Sequence, residues 1–117
     1  MPSSPNTMTS DDLSELIATV KQQVTLFPEG ASQHTLQVNR LIALEVAQAV
    51  SRHESVTSEE LKRAVAPLAS LISKSEKALT KLKPDSWQAQ RLERNVSLLV
   101  PILNLIHHKL AEKENSI

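Results

Sequence analysis

The side chains able to do chemistry here are four histidines, an isolated glutamate in an apolar run, a stripe of lysines and arginines, and a single tryptophan. His107 and His108 are adjacent, so on a helix they point about 100° apart and cannot grip one metal ion. His108 has Glu112 four residues on, which makes two ligands where a site needs three or four. Histidines near a helix C-terminus serve the last carbonyls and the negative end of the dipole, and His53 is read the same way. Glu45 lies inside LIALEVAQAV, residues 41–50. A buried lone carboxylate has a raised pKa, which is how general acids are made. No second carboxylate, base or nucleophile stands beside it. Glu45 is therefore expected to be partly exposed, or paired with Arg40, Arg52 or a partner chain. No catalytic residue, metal site or cofactor is expected.

The string Gln33-His34-Thr35-Leu36 resembles the phosphoacceptor region of histidine phosphotransfer domains, whose pattern is His-x-x-Lys-Gly. The resemblance covers about four residues. It implies a surface His34 on a helix of a four-helix bundle, acting as phosphoacceptor. Gln37 and Val38 stand where the family has Lys and Gly, and only one helix precedes the His where the family has more.

Lys74, Lys77 and Lys81, with Arg91 and Arg94 nearby, form a stripe able to grip phosphates. Glu76 and Glu93 interrupt it, no aromatic lies within it for base stacking, and the formal net charge is zero. That zero hides a split. Residues 1–61 carry three cationic and eight anionic side chains, a balance of −5, and residues 62–94 the reverse, +5. Such asymmetry marks either a binding face or plain helix electrostatics. Nucleic acid is the less favoured partner. Trp87 follows a turn, where a large aromatic covers a bundle end or, if exposed, marks a contact.

Those residues must be positioned by helices. Cysteine is absent, which removes disulfides and zinc-thiolate sites together. Gly30 is the one glycine, and Phe27 and Trp87 the only aromatics. Strands favour aromatics and hairpins need glycines, and a phosphate-cradling loop needs several glycines. No apolar run can span a bilayer, and MPSSPNTMTS has neither the basic nor the apolar region of a signal peptide. The expected compartment is the cytoplasm, with no membrane partner.

Steps of three and four recur in three stretches: Leu13, Ile17, Val20, Val24 and Phe27; Leu61 to Leu82, interrupted by Ser75; and Ala89 to Leu110. Each lays an apolar stripe along one side of a helix. The spacing predicts helices over 9–27, 32–53, 58–82 and 86–112. Thr57 and Glu60 make a capping box before the third, and Asp85 with Gln88 a similar start for the fourth. Pro67 and Pro101 fall inside helices and are expected to kink them, unless Pro67 opens a new helix. Residues 1–8 read as a flexible tail, 9–113 as one domain, and 114–117 as a frayed end.

The fold class is all-α: an antiparallel, up-down-up-down four-helix bundle with kinked third and fourth helices. Its expected core runs through Ile17, Val20, Val24, Ile42, Val46, Leu61, Val65, Leu68, Ile72, Leu79, Leu92, Val96, Leu99, Leu103 and Ile106. The second helix is apolar nearly all round, so Leu41, Leu44 and Ala47, with Trp87, are candidates for an intermolecular contact. The expected function is a non-enzymatic interaction protein of adaptor, secretion-linked or small regulatory type, acting on a protein partner and forming a homodimer. Nucleic-acid association through the third and fourth helices, or phosphotransfer at His34, are the alternatives.

Overall fold

The computed structural model describes the backbone of residues 5–115 and the side chains of residues 13–113. The described chain is α1 (Pro5–Thr25), α2 (Ser32–Ser51), α3 (Ser58–Leu79) and α4 (Trp87–Asn115), with no strand among the described residues. α1 packs chiefly on α2, α2 on α3 and α3 on α4, while α1 and α4 meet along a much shorter seam.

Local chemistry sets each boundary. α1 begins at Pro5, four residues before Thr9, so residues 5–8 are helix rather than tail, and residues 1–4 lie outside the described residues. Proline suits a first helical position, since its φ is preset and its missing amide would have had no partner there. Past Thr25 the amides of Leu26 and Phe27 still bond the carbonyls of Gln23 and Val24, at 3.1 and 3.4 Å, a tighter three-residue turn. The Ala31 amide then returns to the Pro28 carbonyl at 3.2 Å, with Gly30 at φ +89°. A type II turn requires that positive φ at its third residue.

α2 closes on a residue that is not glycine. His53 adopts φ +60°, the His53 amide bonds the Val50 carbonyl at 3.1 Å, and the Glu54 amide bonds the Ala49 carbonyl at 2.9 Å. This is the paired-bond Schellman closure, with His53 in the left-handed position. At α3 the expected capping box is present: the Glu60 amide donates to Thr57 Oγ1 at 3.1 Å, and the Thr57 amide to Glu60 Oε1 at 3.0 Å. At α4 the cap is Ser86, whose Oγ accepts from the Ala89 amide at 3.1 Å. The expected Asp85–Gln88 pairing is thus displaced by one residue. The third residue after Ser86 is Ala89, which has no side chain to complete a box. α4 continues to Asn115, and residues 116–117 of the expected frayed end lie outside the described residues.

Both α3 and α4 run unbroken through their prolines, so Pro67 does not open a separate helix. The buried core joins Leu13, Ile17 and Val20 of α1 to Ala43, Leu44, Val46, Ala47 and Val50 of α2. α3 adds Leu61, Ala64, Leu68 and Ile72, and α4 adds Leu99, Ile102 and Ile106. Ile42 is not among them: it is 47% exposed. Thr35, Asn39, Ile42 and Glu45 are all exposed at steps of three and four, so Ile42 sits on the solvated face of α2. Val65, Val96 and Leu103 are half-buried against the core, and Val24, Leu79 and Leu92 are half-buried.

Candidate functional site

Where α1 and α4 fail to close, a groove of about 420 Å³ opens. Leu16 and Val20 of α1, Leu71 of α3, Leu82 of the following turn, and Leu92 of α4 form its apolar lining. Trp87 stands at the start of α4, 69% exposed. The Arg91 guanidinium carbon lies 5.3 Å from the centre of the indole ring, and Arg91 Nη2 also donates to Thr19 Oγ1 at 3.3 Å. The cation thus stacks on the ring and bridges to α1. A second concavity along the same α1–α4 seam shares Leu16, Thr19, Trp87, Arg91 and Asn95, and adds Glu15 and Arg94.

The groove reaches inward to α2 at Arg40. Arg40 is half-buried, and its Nε is out of reach of water with no hydrogen-bond partner. Burial lowers the guanidinium pKa from its ordinary value, although arginine remains a cation. One turn back, Gln37 is buried and its Oε1 also lacks a partner. Arg40 entered the sequence reading only as a counter-charge for Glu45. The missed signal was its phase: residues 37, 40, 43 or 44, 47 and 50 share one helical face, and it is the buried one.

The expected site residues divide sharply. Leu44 and Ala47 are fully buried within the chain, so their apolar surface is used internally and cannot serve as an intermolecular contact. Their neighbours inside the chain supply the cover that a second chain was expected to give. Leu41 is half-buried against the core, and Trp87 is the exposed one of the four. Lys74, Lys77 and Lys81 are all exposed along α3 and the turn after it, whereas Arg91 and Arg94 line the α1–α4 seam. The basic stripe therefore splits, with Arg91 turned toward α1.

Glu45 is exposed, as a carboxylate without a partner should be. His34 is half-buried near the start of α2. His107 and His108 are both exposed; His108 Nε2 lies 3.2 Å from Glu112 Oε1 in a solvated pair one turn apart. Among the described residues no three His, Asp or Glu side chains gather where a metal could be held. No helix among them is long and apolar enough to cross a membrane. No family model, curated protein or solved structure matches this chain.

Proposed function

We propose that this chain is a non-enzymatic interaction protein, of adaptor, secretion-linked or small regulatory type, that uses the α1–α4 groove to seat an apolar helix of a protein partner. One observation carries the reading: Trp87, the only tryptophan, stands 69% exposed beside an apolar groove. Solvating an indole forgoes apolar burial that this fold obtains for most of its large apolar side chains, Leu26, Ile42 and Leu105 being the other exposed ones among the described residues. Exposed tryptophan beside arginine is also the composition that dominates binding energy at protein interfaces. A groove between two helices accepts a third helix by the packing that holds the bundle together.

In the same reading neighbouring helices run antiparallel, with bends at Pro67 and Pro101. Two long-range bonds support the direction. Gln48 Nε2, late in α2, donates to Ser14 Oγ, midway along α1, at 2.9 Å; Lys113 Nζ, at the end of α4, donates to the Val56 carbonyl just before α3 at 3.1 Å. Self-association through α2 now rests on Ile42 alone as an exposed apolar side chain, which makes the groove the stronger surface.

A photoreactive residue placed at Gln88, which is exposed and lines the groove, tests this in the native cell. A discrete adduct with another protein is expected. It should vanish when Trp87 is replaced by Ala and should not form from the same probe at Glu59 on α3. An adduct indifferent to Trp87 would overturn the reading. Sedimentation of the purified chain identifies the case in which the adduct is a second copy.

A further inference from the structure

From the two walls of the α1–α4 seam we infer that the helix seated in the groove is the Trp87 end of α4 from a second copy of this chain, the two copies pairing face to face about a two-fold axis that runs along the groove. This rests on the groove's being a helix-docking site and names its occupant. Projection and hollow lie on one face of the molecule: Trp87 is 69% exposed, and Leu16, Val20, Leu82 and Leu92 line the groove beside it. The bond from Arg91 to Thr19 sets the level at which α4 stands against α1. A face that carries both a projection and the hollow to receive it is self-complementary, as a two-fold contact requires.

The charges on the two walls point to the same pairing. Glu15 is the anion lining the seam from α1, and Arg91 and Arg94 are the cations lining it from α4. The chain as a whole is divided likewise, −5 over residues 1–61 and +5 over residues 62–94. A two-fold axis along the seam keeps each residue's level and exchanges the sides, so α4 of one protomer faces α1 of the other. Trp87 then meets the apolar wall of the partner at the level of Leu16 and Val20, and Arg94 meets the partner's Glu15. An axis across the seam would instead set α4 against α4 and cation against cation, which the charges oppose. Thr19, Gln23, Ser75, Gln88 and Asn95 complete the lining with neutral polar groups, so the occupant needs no charge beyond those this chain itself brings.

The purified full chain is followed by sedimentation and by Trp87 emission across micromolar concentrations. A concentration-dependent dimer is expected, with emission moving to shorter wavelength as the only indole leaves water. W87A should weaken dimerisation roughly tenfold or more, as loss of a central aromatic anchor does, with helix content unchanged because the ring is exposed. E15K and R94E each set like charges opposite one another at both symmetry-related contacts, and each should weaken the dimer severalfold. Mixed in equal amounts, the two variants should pair with near-natural affinity. The lysine of E15K then faces the glutamate of R94E, and the other contact remains Arg94 on Glu15. Within one chain each variant keeps its like charges, so only pairing between copies restores affinity. A dimer indifferent to W87A, or a mixture no tighter than its separate variants, would overturn this inference. A monomer whose Gln88 probe still captures a different protein through Trp87 would overturn it and leave the groove reading standing. A monomer with no Trp87-dependent adduct would overturn both.

Discussion

At the scale of the residue, two side chains bear local costs, and each makes a different demand. His53 holds φ +60° to close α2. A left-handed conformation costs an L-residue roughly 1–2 kcal/mol, part of which glycine gives back through its freer unfolded chain. Replacing His53 by Gly is therefore expected to stabilise the chain by roughly 0.5–1 kcal/mol. Chemical denaturation reads this as a higher midpoint at unchanged slope, and a lower midpoint would mean that the imidazole contributes a contact of its own. Arg40 bears an unsatisfied donor instead. Arg40→Met keeps the stem and deletes the donor, so thermal unfolding of the isolated chain should shift upward, by about 1 kcal/mol in stability. A destabilised Arg40→Met would show that the guanidinium is satisfied inside the chain. Sequence alone left both features out of view. His53 was legible as a C-terminal histidine but not as the left-handed residue, because glycine, the usual signal, is absent there. Arg40 was legible as a charge, but its burial depends on which face of α2 turns inward.

At the scale of the element, the most readable part was where polar chemistry fixes position. Thr57 and Glu60 specified the start of α3 from their spacing, because the capping box needs those side chains three apart. Thr57→Ala should cost about 1 kcal/mol, by the usual worth of a threonine cap, measured at neutral pH. The Glu60 carboxyl is held below its ordinary pKa, first by the Thr57 amide and then by the Thr57 hydroxyl. A carboxyl lowered on folding contributes stability above its unfolded pKa and loses it as pH falls through its folded one. The difference in melting temperature between the natural chain and Glu60→Gln should therefore shrink as pH is lowered through the carboxylate range. A difference independent of pH would sink that assignment. α2 was the least readable element. Between Leu41 and Val50 only Glu45 and Gln48 are polar, too few to mark a solvated face within that stretch, so Ile42 reads as inward, and Leu44 and Ala47, which are internal, read as outward. A phase error of one residue rotates a helix by about 100°, enough to exchange core for surface.

At the scale of the whole molecule, stability and the proposed function draw on largely different parts of the same four helices, with Val20 shared between core and groove. The fully buried core uses Leu13 of α1, Leu44 and Val50 in the second half of α2, Leu61 and Leu68 in the first half of α3, and Leu99 and Ile106 from the middle of α4 onward. The groove uses the second half of α1, Arg40 of α2, the second half of α3 with the turn after it, and the first turns of α4. Leu99 and Leu92 are thus two leucines on one helix with separate tasks. Leu99 is almost fully buried, so Leu99→Ala creates a cavity and should cost roughly 2–5 kcal/mol. Leu92 is only half-buried at the groove, where a truncated side chain leaves space already open to solvent, and Leu92→Ala should cost about 1 kcal/mol or less. The consequence for binding runs the other way. Leu92→Ala should weaken capture of a Trp87-dependent helix while Leu99→Ala, assayed below its own unfolding transition, leaves it near the natural value. Denaturation midpoints and Trp87 emission, taken on the same two variants, decide the matter. Equal losses of stability would place Leu92 in the core and close the groove, whereas a binding loss shared by Leu99→Ala would mean that the two halves of the bundle do not act separately.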